Sequence, residues 1–317
     1  MHWLVKRTLQ NVLGVLPSPQ SANYFFQRHV TRTLPIGDAG VARKFARALS
    51  HVAAYEEHGA GRPLDETVAY EFGAGWDLAI PLSYAALGVG RQVLVDIRPN
   101  LRLELVNATL ASLARQREAL EEVAGRELRD LGPPGAESAE DLRARFGIEY
   151  RAPCDAAATG LPAESVDLVT STNTLEHVPR EAIAPILREA ARLLRPDGVM
   201  SFRIDMQDHA SYADPRRSPY DYLRYSERAW RFLSPKLEYE NRLRLPDYRA
   251  LFAEAGLEIA EETVTRPRPE HLAALAEVPL ARRFRRYAPE DLAARAVAVV
   301  LRARSPDRAE QATDLVG

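Results

Sequence analysis

The sequence predicts an α/β protein whose sheet is mostly parallel, with helices on both faces. Two observations lead to this prediction. Short apolar segments rich in β-branched residues, such as "TVAYEF" at 67–72 and "RQVLVDI" at 91–97, alternate with segments of helical periodicity. Such alternation is typical of a parallel sheet covered by its connecting helices. The 317 residues are also enough for one large α/β domain with additions.

Residues 1–60 are predicted to form a helical extension or lid. The first stretch, "MHWLVKRTLQNVLGVLP", has the periodicity of an amphipathic helix, and its charged residues exclude a secretory signal or membrane span. We expect this helix to pack on the body of the protein, although it could instead rest on a membrane surface as a peripheral contact. A second helix, "VARKFARALSHVAAYEEH", ends before Gly59.

Residues 61–206 are predicted to form the ligand-binding core. After the strand "TVAYEF" we expect a helix closing at Gly88, the strand "RQVLVDI", one long helix over 101–123, and a loose surface insertion over 125–147. The strands "GIEYRAP" and "SVDLVTSTN" follow. A helix over 180–196, stopped by Pro196 and Gly198, then leads to the strand "GVMSFRID".

The rest of the chain is divided into three predicted parts. Residues 207–245 break the alternation and are rich in tyrosine and arginine, which predicts a cap inserted after the fifth strand. Residues 246–305 return to the core, with one helix and the strands "EIAEETVTRP" and "ARAVAVVLRAR". Residues 306–317 are a polar tail.

Composition narrows the classes of function. Hydrophobic residues make up 46% and charged residues 27%, as in an ordinary globular protein, and the net charge is −2. A nucleic-acid partner is not expected, since no basic excess is present. The single cysteine, Cys154, excludes an internal disulfide and fits a cytoplasmic location. No Cys/His cluster suggests zinc, so no metal site is predicted.

A glycine turn, "EFGAGWD", follows the first strand, and Asp96 ends the second. Glycines at a strand-to-helix turn let the backbone approach a ligand. A dinucleotide fingerprint would place a third glycine where Leu78 stands, beside a pyrophosphate. Asp96 lies where a carboxylate can accept hydrogen bonds from ribose hydroxyls. The pattern therefore favours a ribose-bearing ligand without a pyrophosphate.

Five motifs in order resemble a class I S-adenosylmethionine-dependent methyltransferase, of the type 11-like kind. They are the glycine turn, Asp96, Asp155 with Leu161-Pro162, "SVDLVTSTNTLEHV" and "LLRPDG", and the match spans Thr67 to Asp205. The resemblance implies a Rossmann-like seven-stranded sheet and S-adenosylmethionine as cofactor, with S-adenosylhomocysteine as product. The family's usual third glycine is replaced by Asp77 or Trp76.

The resemblance also implies roles for individual residues. Asp96 would hold the ribose, Ile97 would pack on the adenine, and Asp155 with Ala156 would border the adenine amino group. The methionine part would lie by the turn, and the sulfonium would lie by the end of the fourth strand. The residues implied there are Glu71, Phe72, Gly73, Ala74 and Gly75 for the turn, and Thr172 and Asn173 for the strand end.

The acceptor side is predicted from residues after the fourth and fifth strands. Methyl transfer to a hydroxyl needs a general base, for which His209 and His177 are the candidates and Asp205 an orienting group. Aromatic faces and arginines of the cap suit sugar or anionic acceptors. The candidates are Tyr212, Tyr220, Tyr225, Arg224 and Arg242. Parts of the cap resemble a bacterial methyltransferase branch associated with polysaccharide and glycan assembly, which implies O-methylation of a sugar, glycan or other small acceptor.

Three alternatives stay open at this stage. The chain could be a nicotinamide-dependent oxidoreductase, for which Asp96 is equally apt, or a cofactor-binding partner protein without catalysis. Metal-assisted chemistry would need convergent carboxylates beyond the fourth strand, and the sequence alone does not assemble such a set. Both a monomer and a homodimer fit the pattern, since the first helices could form a lid or a dimer contact.

Overall fold

The fold is described by a computed structural model, which covers residues 19–30, 33–59, 61–214, 216–234 and 239–304. Its strands are β1 Val68–Phe72, β2 Arg91–Val95, β3 Ile148–Arg151, β4 Val166–Thr172, β5 Leu194–Asp205, β6 Leu257–Val264 and β7 Ala296–Ala303. They form one seven-stranded sheet in the order β3-β2-β1-β4-β5-β7-β6. Neighbouring strands are parallel except around β7, which runs antiparallel to β5 and β6. The predicted seven-stranded, mostly parallel sheet is confirmed.

Helices cover both faces of this sheet. In chain order, α1 to α12 are Pro19–Phe25, Asp38–His58, Ala79–Leu87, Leu103–Arg115, Arg117–Ala124, Ala139–Phe146, Arg180–Leu193, Ala210–Ala213, Glu227–Leu233, Leu245–Glu254, Pro269–Ala276 and Pro289–Ala293. A π-helical turn, Phe26–Val30, follows α1. Short 3₁₀ turns occupy Leu64–Glu66, Leu175–His177, Asp221–Arg224 and Arg282–Arg286.

Helix α2 is part of the core rather than a separate lid. Its apolar side chains, among them Phe45, Val52 and Tyr55, are buried in one cluster with side chains of α3, α4 and the sheet. Helices α7 and α10 bury their apolar faces in a second cluster on the opposite side. Burial of this apolar surface is what holds α2 on the sheet. Residues 1–17 and 306–317, predicted as an amphipathic helix and a polar tail, lie outside the described residues.

Three predicted boundaries need correction. The helix expected over 101–123 is two helices, broken at Gln116, whose side-chain amide donates to Ser112 Oγ at 2.9 Å. The expected loose insertion over 125–147 contains α6, which Ser138 caps by accepting from Asp141 N at 3.1 Å. Helix α7 stops at Leu193, before Pro196, because Leu194 already pairs with Val166 of β4.

The cap that follows β5 has a partner that the sequence analysis missed. Between β6 and β7 the chain makes a second excursion, formed by α11, a 3₁₀ turn and α12. Tyr220, Tyr222 and Trp230 of the first excursion are buried against Leu275 and Phe284 of the second. The cap therefore has an apolar core of its own, built by both excursions. Within the described part of the chain, the helices are too short or too polar to cross a bilayer.

Candidate functional site

The strand order locates the crevice in which a ligand would bind. It reverses between β1 and β4, and in open α/β sheets ligands bind beyond the carboxyl ends of the strands at such a point. The loops that follow β1 and β4 touch there. A Cβ atom at Gly73 would lie only 2.4 Å from Thr174 Cγ2, so this contact requires glycine.

The glycine turn begins α3 with an acidic side chain in place of the third glycine. Gly73 and Gly75 have φ angles of +78° and +76°, and a Cβ at Gly75 would meet nothing within 4 Å. Asp77 Oδ1 accepts from Ala79 N at 3.1 Å at the start of the helix. Lys44 Nζ of α2 donates to both oxygens of this carboxylate, at 2.8 and 2.9 Å. Helix α2 thus fixes the turn, and a negative charge already occupies the amino end of α3.

The amino-terminal part of the described chain reaches the same turn. The ring of Tyr24 in α1 lies 5.4 Å from that of Trp76, and the Tyr24 hydroxyl donates to Glu104 Oε1 at 2.6 Å. Arg102 places its guanidinium 5.3 Å from the Tyr24 ring. This aromatic contact holds α1 beside the crevice.

Asp96 lies directly after β2 with its carboxylate held by two donors. Arg98 N donates to Oδ1 at 3.0 Å, and Asn100 Nδ2 donates to both oxygens at 3.2 Å. Burial raises the pKa of Asp96, against the effect of these hydrogen bonds. Its neighbour Ile97 has a side chain that is 66% exposed, which is unusual for an isoleucine and leaves an apolar surface beside the carboxylate.

The loop after β3 lies beside the loop after β2. Cys154 N donates to the Asp96 carbonyl at 2.9 Å, which joins the two loops. Asp155 is exposed and accepts from Ala157 N at 2.8 Å, and Ala156 is partly buried. Asp96, Ile97, Asp155 and Ala156 are thus brought to one edge of the crevice.

Buried polar groups line the ends of β1 and β4. Burial raises the pKa of Glu71 to about 7, while the Thr170 hydroxyl, which donates to Oε2 at 3.2 Å, opposes this shift. Asn173 has a φ angle of +53°, and its buried Oδ1 has no hydrogen-bond partner among the described residues. A strained residue with an unsatisfied buried oxygen is a common feature of ligand sites. Phe72, by contrast, is buried in the sheet core, and Ala74 is buried against α3.

His51 of α2 connects the helix to the sheet and is absent from the sequence-based predictions. Its ring nitrogens lie 2.7 Å from Ser201 Oγ of β5 and 3.1 Å from Thr172 Oγ1 of β4. Burial, reinforced by the charges of Arg203 and Arg47, lowers the pKa of His51 to about 3. His51 is therefore neutral at working pH and sets the register of α2 against β5.

That register brings two cations together at the carboxyl end of β5. Arg47 precedes His51 by four residues, about 6 Å of helix, and Arg203 follows Ser201 by two residues, about 6.6 Å of strand. Burial and the charge of Arg203 lower the pKa of Arg47, and the charge of Asp205 opposes this shift. Neither side chain makes a hydrogen bond or ion pair with any described residue, and Arg203 Nε is buried without a partner. The pair forms a half-buried positive site beside the crevice.

The predicted acid–base residues converge beyond the ends of β4 and β5. The rings of His177 and His209 lie 5.0 Å apart, and His209 Nε2 lies 3.7 Å from Asp205 Oδ2. Asp205 also accepts from the hydroxyl of Tyr212, whose ring lies 5.3 Å from that of His209. The buried Glu176 adds a carboxyl, and burial raises the pKa of this group well above its usual range. The structure thus brings together one polar group of five side chains, which are Glu176, His177, Asp205, His209 and Tyr212.

Two of the other four predicted acceptor contacts lie inside the cap, away from any acceptor. Tyr220 is fully buried, and its hydroxyl donates to the Ala293 carbonyl at 2.9 Å. Arg242 is buried, with its guanidinium 4.7 Å from the Trp230 ring. The acceptor role predicted for Tyr220 and Arg242 is therefore wrong, because the core of the cap uses both side chains. Tyr225 stacks on Trp230, and Arg224 lies 3.3 Å from the Asp221 carboxylate.

The hydrogen bonds of Arg242 explain why the core of the cap contains an arginine. Its guanidinium donates to the Tyr222 and Tyr225 carbonyls at 2.8 and 2.6 Å, and to Glu227 Oε1 at 2.8 Å. These bonds give the buried carbonyls of this turn charge-assisted donors.

Comparison with known proteins agrees with the fold and with one class of function. Residues 129–202 match a family model described as a methyltransferase domain. The matched segment is less than half of the chain. No curated protein matches the sequence. The matched segment and the order of the strands agree, and the chain has the Rossmann-like fold of class I methyltransferases.

The solved structures that the comparison found are distant in sequence. An S-adenosylmethionine-dependent methyltransferase from Leishmania major has 11% identity and a TM-score of 0.46, over 95% of this chain and 83% of that one. A geranyl diphosphate C-methyltransferase from Streptomyces coelicolor, solved with Mg²⁺, geranyl diphosphate and S-adenosylhomocysteine, has 12% identity and a TM-score of 0.45, over 82% and 77%. Similarities at this level do not identify a substrate.

Proposed function

We propose that the chain is an S-adenosylmethionine-dependent methyltransferase that binds its cofactor in the crevice between the β1 and β4 loops. The observation that carries this proposal is the presence of two carboxylates in the crevice, Asp77 at the start of α3 and Asp96 after β2. A nicotinamide dinucleotide would place its pyrophosphate at the amino end of α3, where the Asp77 carboxylate accepts from Ala79 N. S-adenosylmethionine has a ribose for Asp96 and no phosphate, so it fits both carboxylates.

The other predicted cofactor residues suit the parts of this molecule. The exposed Ile97 offers an apolar surface for the adenine, next to Asp155. Glu71 has a pKa of about 7, and a nearby methionine ammonium group would favour its charged form. The open space above Gly75 leaves room for the ligand backbone.

The acceptor atom that we propose is a hydroxyl oxygen. Methyl transfer is an in-line displacement, and a hydroxyl must lose its proton as it attacks. The group of His177, His209 and Asp205 lies beyond β4 and β5, on the far side of the proposed sulfonium position from Asp96. Its basic side chains can take that proton.

We further propose that the acceptor is a sugar or glycan unit, or a similar small hydroxylated molecule, with an acidic group. The half-buried pair Arg47 and Arg203 has no anionic partner of its own among the described residues, and such a pair binds a carboxylate or phosphate with charge-assisted hydrogen bonds. The exposed ring of Tyr212, beside His209, offers a face on which a sugar can stack.

The cofactor assignment predicts the outcome of a titration calorimetry experiment. S-adenosylhomocysteine should bind the full chain and NADH should not. In Asp96→Asn the affinity for S-adenosylhomocysteine should fall by about 2–3 kcal/mol, because a charge-assisted pair of hydrogen bonds to the ribose is lost. The exposed Asp65 serves as the control, and Asp65→Asn should bind as the wild type does. Binding of NADH alone would contradict the cofactor assignment and favour an oxidoreductase.

The acceptor assignment predicts the result of a panel of matched acceptors. Formation of S-adenosylhomocysteine should be faster with uronic acids or sugar phosphates than with their neutral parents. Arg47→Gln should lower kcat/KM at least about tenfold for the acidic members, the value of a charge-assisted contact, and little for neutral ones. Arg231→Gln, an exposed change on α9, should alter neither. Equal rates for acidic and neutral parents in the wild type would contradict an anionic acceptor.

A further inference from the structure

Three side chains with metal-ligating atoms meet beyond β4 and β5. One ligating atom from each of Glu176, His177 and His209 lies within 4.8 Å of the other two. Glu176 and His177 come from the 3₁₀ turn after β4, and His209 begins α8 after β5. Two imidazoles and one carboxylate are a donor set found in metal sites that keep coordination positions open.

The partners of the two histidines are those that metal-binding histidines usually have. His177 Nδ1 lies 2.7 Å from the Tyr239 carbonyl, which can only accept, so Nδ1 carries the proton and Nε2 keeps its lone pair. His209 Nδ1 lies 3.4 Å from Glu240 Oε1. A carbonyl or carboxylate on the other ring nitrogen orients a ligating imidazole and fixes its tautomer.

The environment of Glu176 is independent support for a cation at this place. Its side chain is nearly fully buried, at 4% exposure, and neither carboxylate oxygen has a hydrogen-bond partner among the described residues. Burying a carboxylate costs several kcal/mol unless it is paired or coordinates a metal. The Asp205 and Glu240 carboxylates lie beside His209, so the group has several acids, and no lysine or arginine of the described residues is bonded to Glu176. A cation would complete it.

We propose that Glu176, His177 and His209 bind one divalent metal ion of the Zn²⁺ or Co²⁺ class, with open positions facing the acceptor. Nitrogen donors select such borderline ions over Mg²⁺, which prefers oxygen ligands. The existence of this site does not depend on the proposed function, but the role given to the ion does. Bound to the acceptor oxygen, the ion lowers the pKa of the hydroxyl.

The methyl transfer then balances without a further reactant. The acceptor hydroxyl loses its proton to the Asp205 carboxylate, and the oxygen attacks the methyl carbon. The C–O bond forms as the C–S bond breaks, and the sulfur keeps the electron pair and leaves as the neutral thioether of S-adenosylhomocysteine. Asp205 lies 3.7 Å from His209 Nε2, within reach of a group bound at the ion.

The test is a titration of the metal-free full chain with Zn²⁺, and separately with Co²⁺ followed by its visible absorption, both without cofactor. We expect one equivalent to bind, at least about a hundredfold more weakly in Glu176→Gln and in His209→Asn, since each loses a ligand. Mg²⁺ should not compete with Zn²⁺ at equal concentration. Thermal unfolding without metal should show that Glu176→Gln is folded and at least as stable as the wild type, because a buried carboxylate is removed.

A second group of ligating residues provides the control. Glu57, His58 and Glu261 also lie within reach of one another, but they are largely exposed, and His58 Nε2 is 3.0 Å from Glu261 Oε2. His58→Gln should bind one equivalent with wild-type affinity. The proposal is overturned if the wild type binds no equivalent, or if Glu176→Gln keeps the equivalent that the wild type binds. Binding of S-adenosylhomocysteine, measured separately, distinguishes a failed metal site from a failed methyltransferase assignment.

Discussion

Replacing Arg244 by methionine is expected to lower the free energy of unfolding by about 4 kcal/mol, the range for breaking a buried polar network. Arg244 is fully buried between the end of β5, the cap and the segment that precedes β7. Its guanidinium donates to the Met206 carbonyl at 2.6 Å, and to the Leu292 and Ala294 carbonyls at 2.6 and 2.5 Å. Methionine fills most of the space but donates nothing, so the Leu292 and Ala294 carbonyls lose this donor and the Met206 carbonyl keeps only the Tyr222 hydroxyl.

The position of Arg244 makes this loss important for function. Met206 follows β5 directly and also accepts from the Tyr222 hydroxyl at 2.7 Å, so the end of the strand that carries Asp205 is joined to the cap. Leu292 and Ala294 end the second excursion of the chain, just before β7. One side chain therefore connects both excursions to the sheet.

Urea unfolding followed by circular dichroism measures the predicted loss. Arg228→Met is the matched control, because Arg228 is exposed on α9 and the same change there should cost less than about 0.5 kcal/mol. Arg244→Lys should recover only part of the stability, since an ammonium group cannot address several carbonyls with the planar geometry of a guanidinium. Equal stability of Arg244→Met and Arg228→Met would contradict the network's role.

The sequence predicts those parts of the fold in which neighbouring residues decide the structure. Strand β4 is recognisable because "VDLVTST" is apolar, β-branched and bounded by loop residues. The residues proposed for the cofactor were predictable for a similar reason, since Gly73 and Asp96 come directly after a strand and Asp155 follows β3 after a short loop. The second excursion was missed, because α12 has only five residues and the 3₁₀ turn "RRFRR" lacks helical periodicity.

Contacts that depend on the register of distant elements were not predictable. The pair Arg47 and Arg203 forms only because His51 fixes α2 against β5. Glu176 and His209 are separated by a helix and a strand, so no spacing rule brings them together. In the cap, residues predicted to contact a ligand are instead buried. A segment rich in tyrosine and arginine has the same pattern whether it faces a ligand or packs inward, as Tyr220 and Arg242 do.

The two glycines of the turn are expected to respond differently to alanine, although their backbones are alike. Both have φ angles near +77°, at +78° and +76°, where an alanine costs about 1–2 kcal/mol. Gly75→Ala should lose only that amount of stability, since its Cβ meets nothing within 4 Å. Gly73→Ala should lose about 3 kcal/mol or more, because its Cβ would lie 2.4 Å from Thr174 Cγ2 and 2.5 Å from Thr174 Oγ1.

A double-mutant cycle separates backbone strain from this clash. Thr174→Ala removes both clashing atoms and leaves only its Cβ, 3.0 Å from a Cβ at Gly73. In that background Gly73→Ala should therefore lower the free energy of unfolding by about 1–2 kcal/mol less than it does in the wild type. Gly75→Ala should show no such coupling to Thr174. Its effect should instead fall on S-adenosylhomocysteine affinity, because the new methyl group enters the space that the proposed cofactor occupies. Unchanged affinity in a stable Gly75→Ala protein would mean that the ligand lies elsewhere, and the assignment of the crevice would have to be withdrawn.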